Sequence, residues 1–113
     1  MSLQLYQVDA FTDSLFGGNP AAVVPLNAWL PDDTMCAIAA ENNLSETAFF
    51  IPAEDGDAAD FHLRWFTPTT EVALCGHATL ASAFVLFTAC GWTGRTLRFS
   101  SASGMLFAER EDD

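Results

Sequence analysis

The chain has 113 residues, of which 50% are hydrophobic and 17% are charged, so it can bury one core and is too apolar to be intrinsically disordered. Its 15 acidic and 4 basic residues give a formal net charge of −11, and the basic residues are all arginines. This charge excludes function through bulk attraction to nucleic-acid phosphates or to anionic lipid. A small anionic ligand has to be held locally, by an arginine or by backbone amides.

The first half of the chain predicts three strands and one helix. The strands are expected at Leu3–Ala10, Ala21–Val24 and Thr47–Ile51. A turn region at Phe11–Pro20 separates the first two, since it is rich in glycine and ends in proline. Proline and acidic residues suit the first turn of a helix, so a helix is expected to begin at Pro31–Asp33 and to end at Asn42–Asn43.

The second half predicts a strand, a buried helix and a hairpin. Phe61–Thr67 alternates, with Phe61, Leu63 and Trp65 on one face. The loops are expected at Pro52–Asp60 and Pro68–Glu71. A helix over His77–Cys90 is apolar nearly all round, which is typical of a helix buried on every side, and Gly91 is its expected cap. The hairpin pairs Thr96–Ser100 with Met105–Arg110 around Ser103–Gly104.

The order β-β-α-β-β-α-β-β predicts a single α+β domain over residues 1–113. A 14-residue helix that is apolar on all faces has to be covered on all sides. The sheet is therefore expected to be strongly curled, like a barrel, around this central helix.

The cysteines and the start of the chain bear on location and on metals. Cys36, Cys75 and Cys90 are an odd number at no metal-binding spacing, and His62 and His77 are far apart, so free thiols and no metal site are expected. The first residues lack the basic and apolar segments of a signal sequence, and the longest apolar stretch is too short to span a bilayer. These features predict a cytoplasmic protein.

The segment Asn43–Thr47 contains the first candidate for proton-transfer chemistry. Glu46 lies where the first helix has ended and the third strand begins. A carboxylate at such a junction can point into a cleft and exchange protons with a carbon acid if burial raises its pKa. The alternative is an ordinary surface acid, and spacing alone favours that alternative in a chain with 15 acidic residues.

Cys75, Gly76 and His77 lie where the apolar helix is expected to begin. Glycine at this position lets a ligand approach the backbone, and the unpaired first-turn N–H groups favour negative charge. His77 can donate a hydrogen bond or relay a proton, and a helix N-terminus lowers the pKa of a thiol such as Cys75. The alternative is a buried cysteine, a glycine cap and a structural histidine.

Gly17–Pro20 is the third candidate segment. Its glycines and Asn19 can lend backbone or amide groups to a ligand, or they can form an ordinary turn.

Five motifs in order resemble the phenazine-biosynthesis PhzF-like isomerase family, which is similar in fold to diaminopimelate epimerase. They are Tyr6–Ala10, Gly18–Val24, Glu41–Ala48, Arg64–Pro68 and Cys75–Thr79, and the resemblance as a whole runs from residue 1 to about residue 110. The resemblance implies lobes in which a curled mixed sheet surrounds a central apolar helix. It also implies cofactor-independent isomerisation or epimerisation of a small carboxylate. In the best-known member the substrate is trans-2,3-dihydro-3-hydroxyanthranilate.

Site residues follow from the resemblance position by position. Glu46 matches the family's catalytic acid/base, and Gly76 and His77 match its Gly-His pair. Cys75 stands where epimerases and proline racemases keep a catalytic thiol, and it is carried as a secondary candidate. Gly18 and Asn19, with Gly76, are the expected substrate contacts.

Members of this family have a second lobe, and this chain has the length of one. Two hypotheses follow from the resemblance. The first is an isomerase whose site is completed by a second lobe, which is either covalent or supplied by another chain. The second is a non-catalytic binding or assembly module. A lone lobe keeps the face that its sibling would cover, so a homodimer is expected.

Overall fold

The computed structural model describes residues 6–10, 19–42, 47–54, 57–67, 69–72 and 76–109. Two helices, α1 and α2, connect seven strands. In chain order the elements are β1 (Tyr6–Ala10), β2 (Asn19–Pro25), α1 (Asp32–Asn42), β3 (Thr47–Pro52), β4 (Phe61–Phe66), β5 (Glu71–Val72), α2 (Gly76–Thr88), β6 (Thr96–Ser101) and β7 (Gly104–Glu109).

Every predicted element has a counterpart, and one strand is additional. The helices begin and end within two residues of the predicted bounds, and Gly91 has a φ of 74°, as a left-handed cap requires. Gly104, in the turn of the predicted hairpin, has a φ of 99°. The additional strand is β5, a two-residue strand that pairs with the end of β4, where the sequence predicts the end of a turn.

All seven strands belong to one mixed sheet. Its order is β1-β2-β3-β4-β6-β7, and β5 pairs with β4 beside this path. β2 is parallel to β3 and β4 is parallel to β6, whereas the other neighbours are antiparallel. Parallel neighbours need a crossover connection, which α1 provides for the first pair and β5 with α2 for the second.

The hydrophobic core has two parts, one on each face of the sheet. α2 packs on the face that carries Ala48, Phe50, Leu63 and Trp65. The other part lies beneath α1 and contains Met35, Ala39, Val24, Phe49 and Phe66. The alternation of β4 thus divides its residues between the two faces as the sequence predicts.

The structure does not support the strongly curled, barrel-like sheet. Among the described residues no pairing joins β1 to β7, so the sheet is open. α2 packs against β1, β2 and β3, and Phe84 on this helix is 49% exposed. The apolar composition of α2 does not mean that strands cover every face, because this lobe leaves part of the helix exposed to solvent.

Asp60 and Arg98 form an ion pair that fixes β6 to the loop before β4. The carboxylate accepts bonds from the Arg98 backbone N–H at 2.9 Å and from its guanidinium at 2.9 and 3.2 Å. Asp60 N–H donates in return to the Arg98 carbonyl at 2.8 Å. The guanidinium bonds hold the pKa of Asp60 below its ordinary value of 3.8.

Asp60→Asn is expected to lower the free energy of unfolding by about 1–2 kcal/mol at pH 7, because charge-assisted hydrogen bonds are lost. A carboxyl with a lowered folded pKa stabilises the fold above its unfolded pKa, and this contribution is lost as the pH falls through the folded value. Urea unfolding of both proteins at pH 7 and near pH 3 measures the difference, which should shrink at the lower pH. Glu54→Gln, a change to an exposed carboxylate, is the control. A difference that grows on acidification would contradict this assignment.

Candidate functional site

The sequence-predicted site residues divide into two groups. Gly18, Glu46 and Cys75 lie outside the described residues. Asn19 is the first residue of β2, Gly76 is the first residue of α2 and His77 is the second. The roles of all six stay predictions, and the backbone of the described elements shows where β2, β3 and α2 begin.

The starts of β2 and β3 lie at the same edge of the sheet. The two strands are parallel, and Ala22 pairs with Thr47, the first residue of β3. Asn19 lies three residues before Ala22, which is about 10 Å along an extended strand. Glu46 directly precedes Thr47 in the sequence. The topology therefore brings the entry into β3 to the edge at which β2 begins.

The start of α2 lies toward the same edge. β4 is antiparallel to β3 and ends beside its start, where Phe66 pairs with Thr47. α2 then leads back to β6, which is parallel to β4, so the helix has to run in the opposite direction to both strands. Its N-terminus, with Gly76 and His77, thus points toward the edge where β3 begins.

The N-terminal turn of α2 has the electrostatic character of an anion site. A helix start exposes unpaired N–H groups and a partial positive charge. No acidic side chain lies in the first turn of α2, so no carboxylate of that turn competes for these groups. A bound carboxylate or a developing enolate would be stabilised at this position.

A shallow groove of about 410 Å³ lies beside the middle of β4. Its lining includes Trp29, His62, Arg64, Glu71 and Ser100. The Arg64 guanidinium is held by carboxylates, and the hydrogen bonds that it donates to Glu71 keep the pKa of Arg64 above its ordinary value. Its charge is already neutralised, so this arginine does not make the groove a carboxylate site. Sequence reasoning places Arg64 only inside a family motif, because its partners are 7 and 32 residues away.

The part of the chain that the structure describes contains no group of three or more His, Cys, Asp or Glu side chains arranged to hold a metal ion. Cys36 and Cys90 are free thiols, as expected. In the same part of the chain, no helix is long and apolar enough to cross a membrane.

Comparison with known proteins gives consistent results. Residues 8–113 match the family model described as phenazine biosynthesis-like protein. The chain is 57% identical over its whole length to an uncharacterized isomerase of Pseudomonas aeruginosa, of which it covers 42%. A crystal structure of a PhzF-family phenazine biosynthesis protein from Enterococcus faecalis superposes with a TM-score of 0.87 at 51% identity, over 99% of this chain and 42% of that one.

A third protein extends the likeness to epimerases. A predicted epimerase from Pseudomonas aeruginosa superposes with a TM-score of 0.78 at 28% identity, over 97% of this chain and 39% of that one. The chain thus spans about two fifths of the length of the proteins it matches, as an N-terminal lobe of such a protein would. From the family match and the fold together, the chain belongs to the phenazine biosynthesis-like (PhzC-PhzF) family, and the proteins it matches include one named an isomerase and one named a predicted epimerase.

Proposed function

We propose that this chain is the first lobe of a cofactor-independent isomerase or epimerase that moves a proton on a small carboxylate substrate. The observation that carries the proposal is the family match over residues 8–113, which includes the segments that contain Glu46 and Gly76–His77. The topology supports it, since the entry into β3 and the start of α2 lie toward one edge of the sheet.

In the proposed mechanism Glu46 removes a proton from a carbon of the substrate and returns it to another position. The first-turn amides of α2 at Gly76 hold the carboxylate or the enolate that forms when the proton leaves. His77 donates a hydrogen bond or relays the proton, with Cys75 as a secondary candidate for this exchange. Gly18 and Asn19 contact the substrate from the start of β2.

A proton-exchange assay in deuterated buffer tests this proposal. Trans-2,3-dihydro-3-hydroxyanthranilate and a panel of amino-acid-like carboxylates are the probes, and mass spectrometry or NMR follows deuterium at carbon. An isomerase of this kind incorporates deuterium into its substrate or product without an added cofactor. Failure to exchange with every probe, in the presence of a completing second lobe, would refute the proposal.

A non-catalytic binding or assembly module is the second candidate function. It is favoured by two exposed aromatic side chains. Phe84 on α2 is 49% exposed and Phe107 on β7 is 65% exposed. Exposed apolar side chains of this size suit a surface that another lobe covers. Such a module would bind its partner and leave carbon-bound protons of the probes unexchanged.

We expect the chain to form a homodimer, because a two-fold contact lets one exposed face cover its own copy. The arrangement we favour imitates two lobes and brings two copies of Glu46 toward one cleft, where their repulsion would raise one pKa. The edge of β7, which pairs only with β6 among the described strands, offers a rival dimer by sheet extension. A cytoplasmic location stays part of the proposal.

Light scattering on the purified chain at micromolar concentration measures the oligomeric state. Phe84→Asp is expected to weaken a dimer of the two-lobe type, whereas Phe107→Asp should weaken the sheet-extension dimer instead. A monomer at micromolar concentration would contradict the expectation of a homodimer.

A further inference from the structure

The guanidinium of Arg64, in the middle of β4, contacts two carboxylates and two aromatic rings. Its Nε and one terminal nitrogen donate to both carboxylate oxygens of Glu71, each at 2.8 Å. The same terminal nitrogen donates to Asp32 at 3.0 Å. The guanidinium also lies over the rings of Trp29 and Phe66, 5.1 and 5.0 Å from their centroids. The side chain is 23% exposed, so these contacts are partly shielded from solvent.

The two carboxylates belong to elements that lead to the candidate site. Asp32 is the first residue of α1, and the chain beyond the end of α1 carries Glu46. Glu71 is the first residue of β5, which precedes the start of α2 at Gly76 and His77. One guanidinium thus connects β4 to both elements.

The turn between β4 and β5 strengthens this connection. The Thr67 hydroxyl accepts hydrogen bonds from the Thr69 and Thr70 amides at 3.3 and 3.2 Å, and it lies 3.1 Å from the Thr70 carbonyl, to which it can donate. The Thr67 amide donates to the same carbonyl at 2.8 Å. β5 has only two residues, so the Arg64–Glu71 pair and this turn hold most of it in place.

We propose that Arg64 is a positioning residue, which holds β5 and the start of α1 against β4 and thereby fixes the start of α2, with Gly76 and His77, relative to the start of β3. The inference rests on the proposed function for the roles of those residues. It accounts for the Arg64–Pro68 motif, to which the proposed chemistry gives no role. Lysine cannot replace Arg64, because only the planar guanidinium pairs with both Glu71 oxygens, contacts Asp32 and stacks on two rings.

Arg98 provides a matched control. It also makes a two-point contact with one carboxylate, that of Asp60, but it is 48% exposed and connects β6 to the loop before β4. Neither of these elements leads into the candidate site. Arg98→Gln and Arg98→Lys therefore make the same chemical changes as Arg64→Gln and Arg64→Lys, but they are not expected to disturb the candidate site.

The first readout is NMR of the folded chain, which needs no substrate. The chain has two histidines, so the imidazole signal of His77 can be assigned by comparison with a His62→Gln variant. Arg64→Gln and Arg64→Lys are expected to shift the His77 imidazole signal and the backbone amide signal of Thr47. Arg98→Gln and Arg98→Lys should leave both signals in place.

The second readout is kinetic and uses the assembly that exchanges deuterium. Arg64→Gln is expected to lower kcat about a hundredfold with KM changed by no more than a few-fold, since misplacement of catalytic groups by about 1 Å has an effect of this size. Arg64→Lys should recover less than tenfold of that loss. The double variant Arg64→Gln/Glu71→Gln removes the unpaired carboxylate, so it should regain melting temperature without regaining kcat.

Unchanged His77 and Thr47 signals in both Arg64 variants would overturn the inference, whether or not the protein is an isomerase. Recovery of kcat together with melting temperature in the double variant would also overturn it, because Arg64 would then have a structural role only. Shifted signals in a chain that exchanges no deuterium even with a completing second lobe present would instead uphold the positioning and refute the proposed function. If Arg64→Gln does not fold, the Arg64→Lys spectra decide.

Discussion

Replacement of Glu46 by Gln is expected to lower the rate of proton exchange by about 10²–10⁴-fold, the usual contribution of a general acid or base. Glutamine keeps the shape of the side chain and its hydrogen-bonding capacity, but it does not transfer the proton. The unfolding free energy should stay within about 0.5 kcal/mol of the original, because the substitution changes neither the size nor the polarity of the side chain greatly. The measurement is deuterium incorporation into the probe carboxylate under single-turnover conditions.

Glu41→Gln is the matched control for this experiment. Glu41 is an exposed acid near the end of α1, five residues before Glu46, so the same chemical change is made in the same part of the chain. Its variant is expected to exchange deuterium at the original rate. An assembled enzyme that carries Glu46→Gln and turns over at nearly the original rate would rule out Glu46 as the acid/base.

The second large effect is expected in the core at Trp65. Trp65 lies on β4, and its side chain is fully buried in the larger part of the core, on the face of the sheet that α2 covers. Trp65→Ala is expected to lower the free energy of unfolding by about 3–5 kcal/mol, because it removes buried apolar contacts and leaves a cavity. Loss of this much stability approaches the whole stability of a small domain.

Trp65→Phe separates the volume of this side chain from its polar group. The indole N–H of Trp65 has no hydrogen-bond partner among the described residues. A buried donor without a partner destabilises the fold by about 1–3 kcal/mol, and phenylalanine removes this donor. The stability gained in this way offsets part of the stability lost with the packing contacts. Chemical denaturation should therefore show a loss for Trp65→Phe that is well below that for Trp65→Ala. Equal losses in the two variants would show that packing is not what Trp65 contributes.

Local sequence patterns predicted the elements of the fold well. The alternation in Phe61–Thr67 identified both faces of β4, because a strand between two helix layers presents every second residue to each layer. Gly91 and the apolar run before it located the end of α2. These signals are local, so they survive in any tertiary arrangement that buries the residues.

Features that depend on distant residues were missed or wrong. β5 exists through pairing with β4 and through the contact between Arg64 and Glu71, and a two-residue strand has no periodicity of its own. The curled sheet was inferred from the apolar composition of α2. Composition does not show which residues of an apolar helix are covered by the sheet. Phe84 is apolar and still 49% exposed.

For the candidate site, the sequence predicted residue types and the fold supplies their arrangement. The glycine before an apolar run indicated a helix start at His77, one residue after the observed start at Gly76. The convergence of that helix start with the starts of β2 and β3 depends on strand order, which no local pattern contains. Glu46, Cys75 and Gly18 lie outside the described residues, so their roles stay predictions from the family resemblance.

The central claim is that this lobe carries an acid/base and an anion-binding helix start that a second lobe completes. Deuterium incorporation per chain tests it directly, measured as the concentration of a separately prepared second lobe of the Pseudomonas aeruginosa relative is raised. The rate should rise with the added lobe and saturate, and Glu46→Gln should abolish the rise. The account would be contradicted if, at a saturating concentration of the second lobe, the probe exchanged no faster than it does without protein. It would also be contradicted if the monomeric chain exchanged deuterium at a rate that the added lobe did not change.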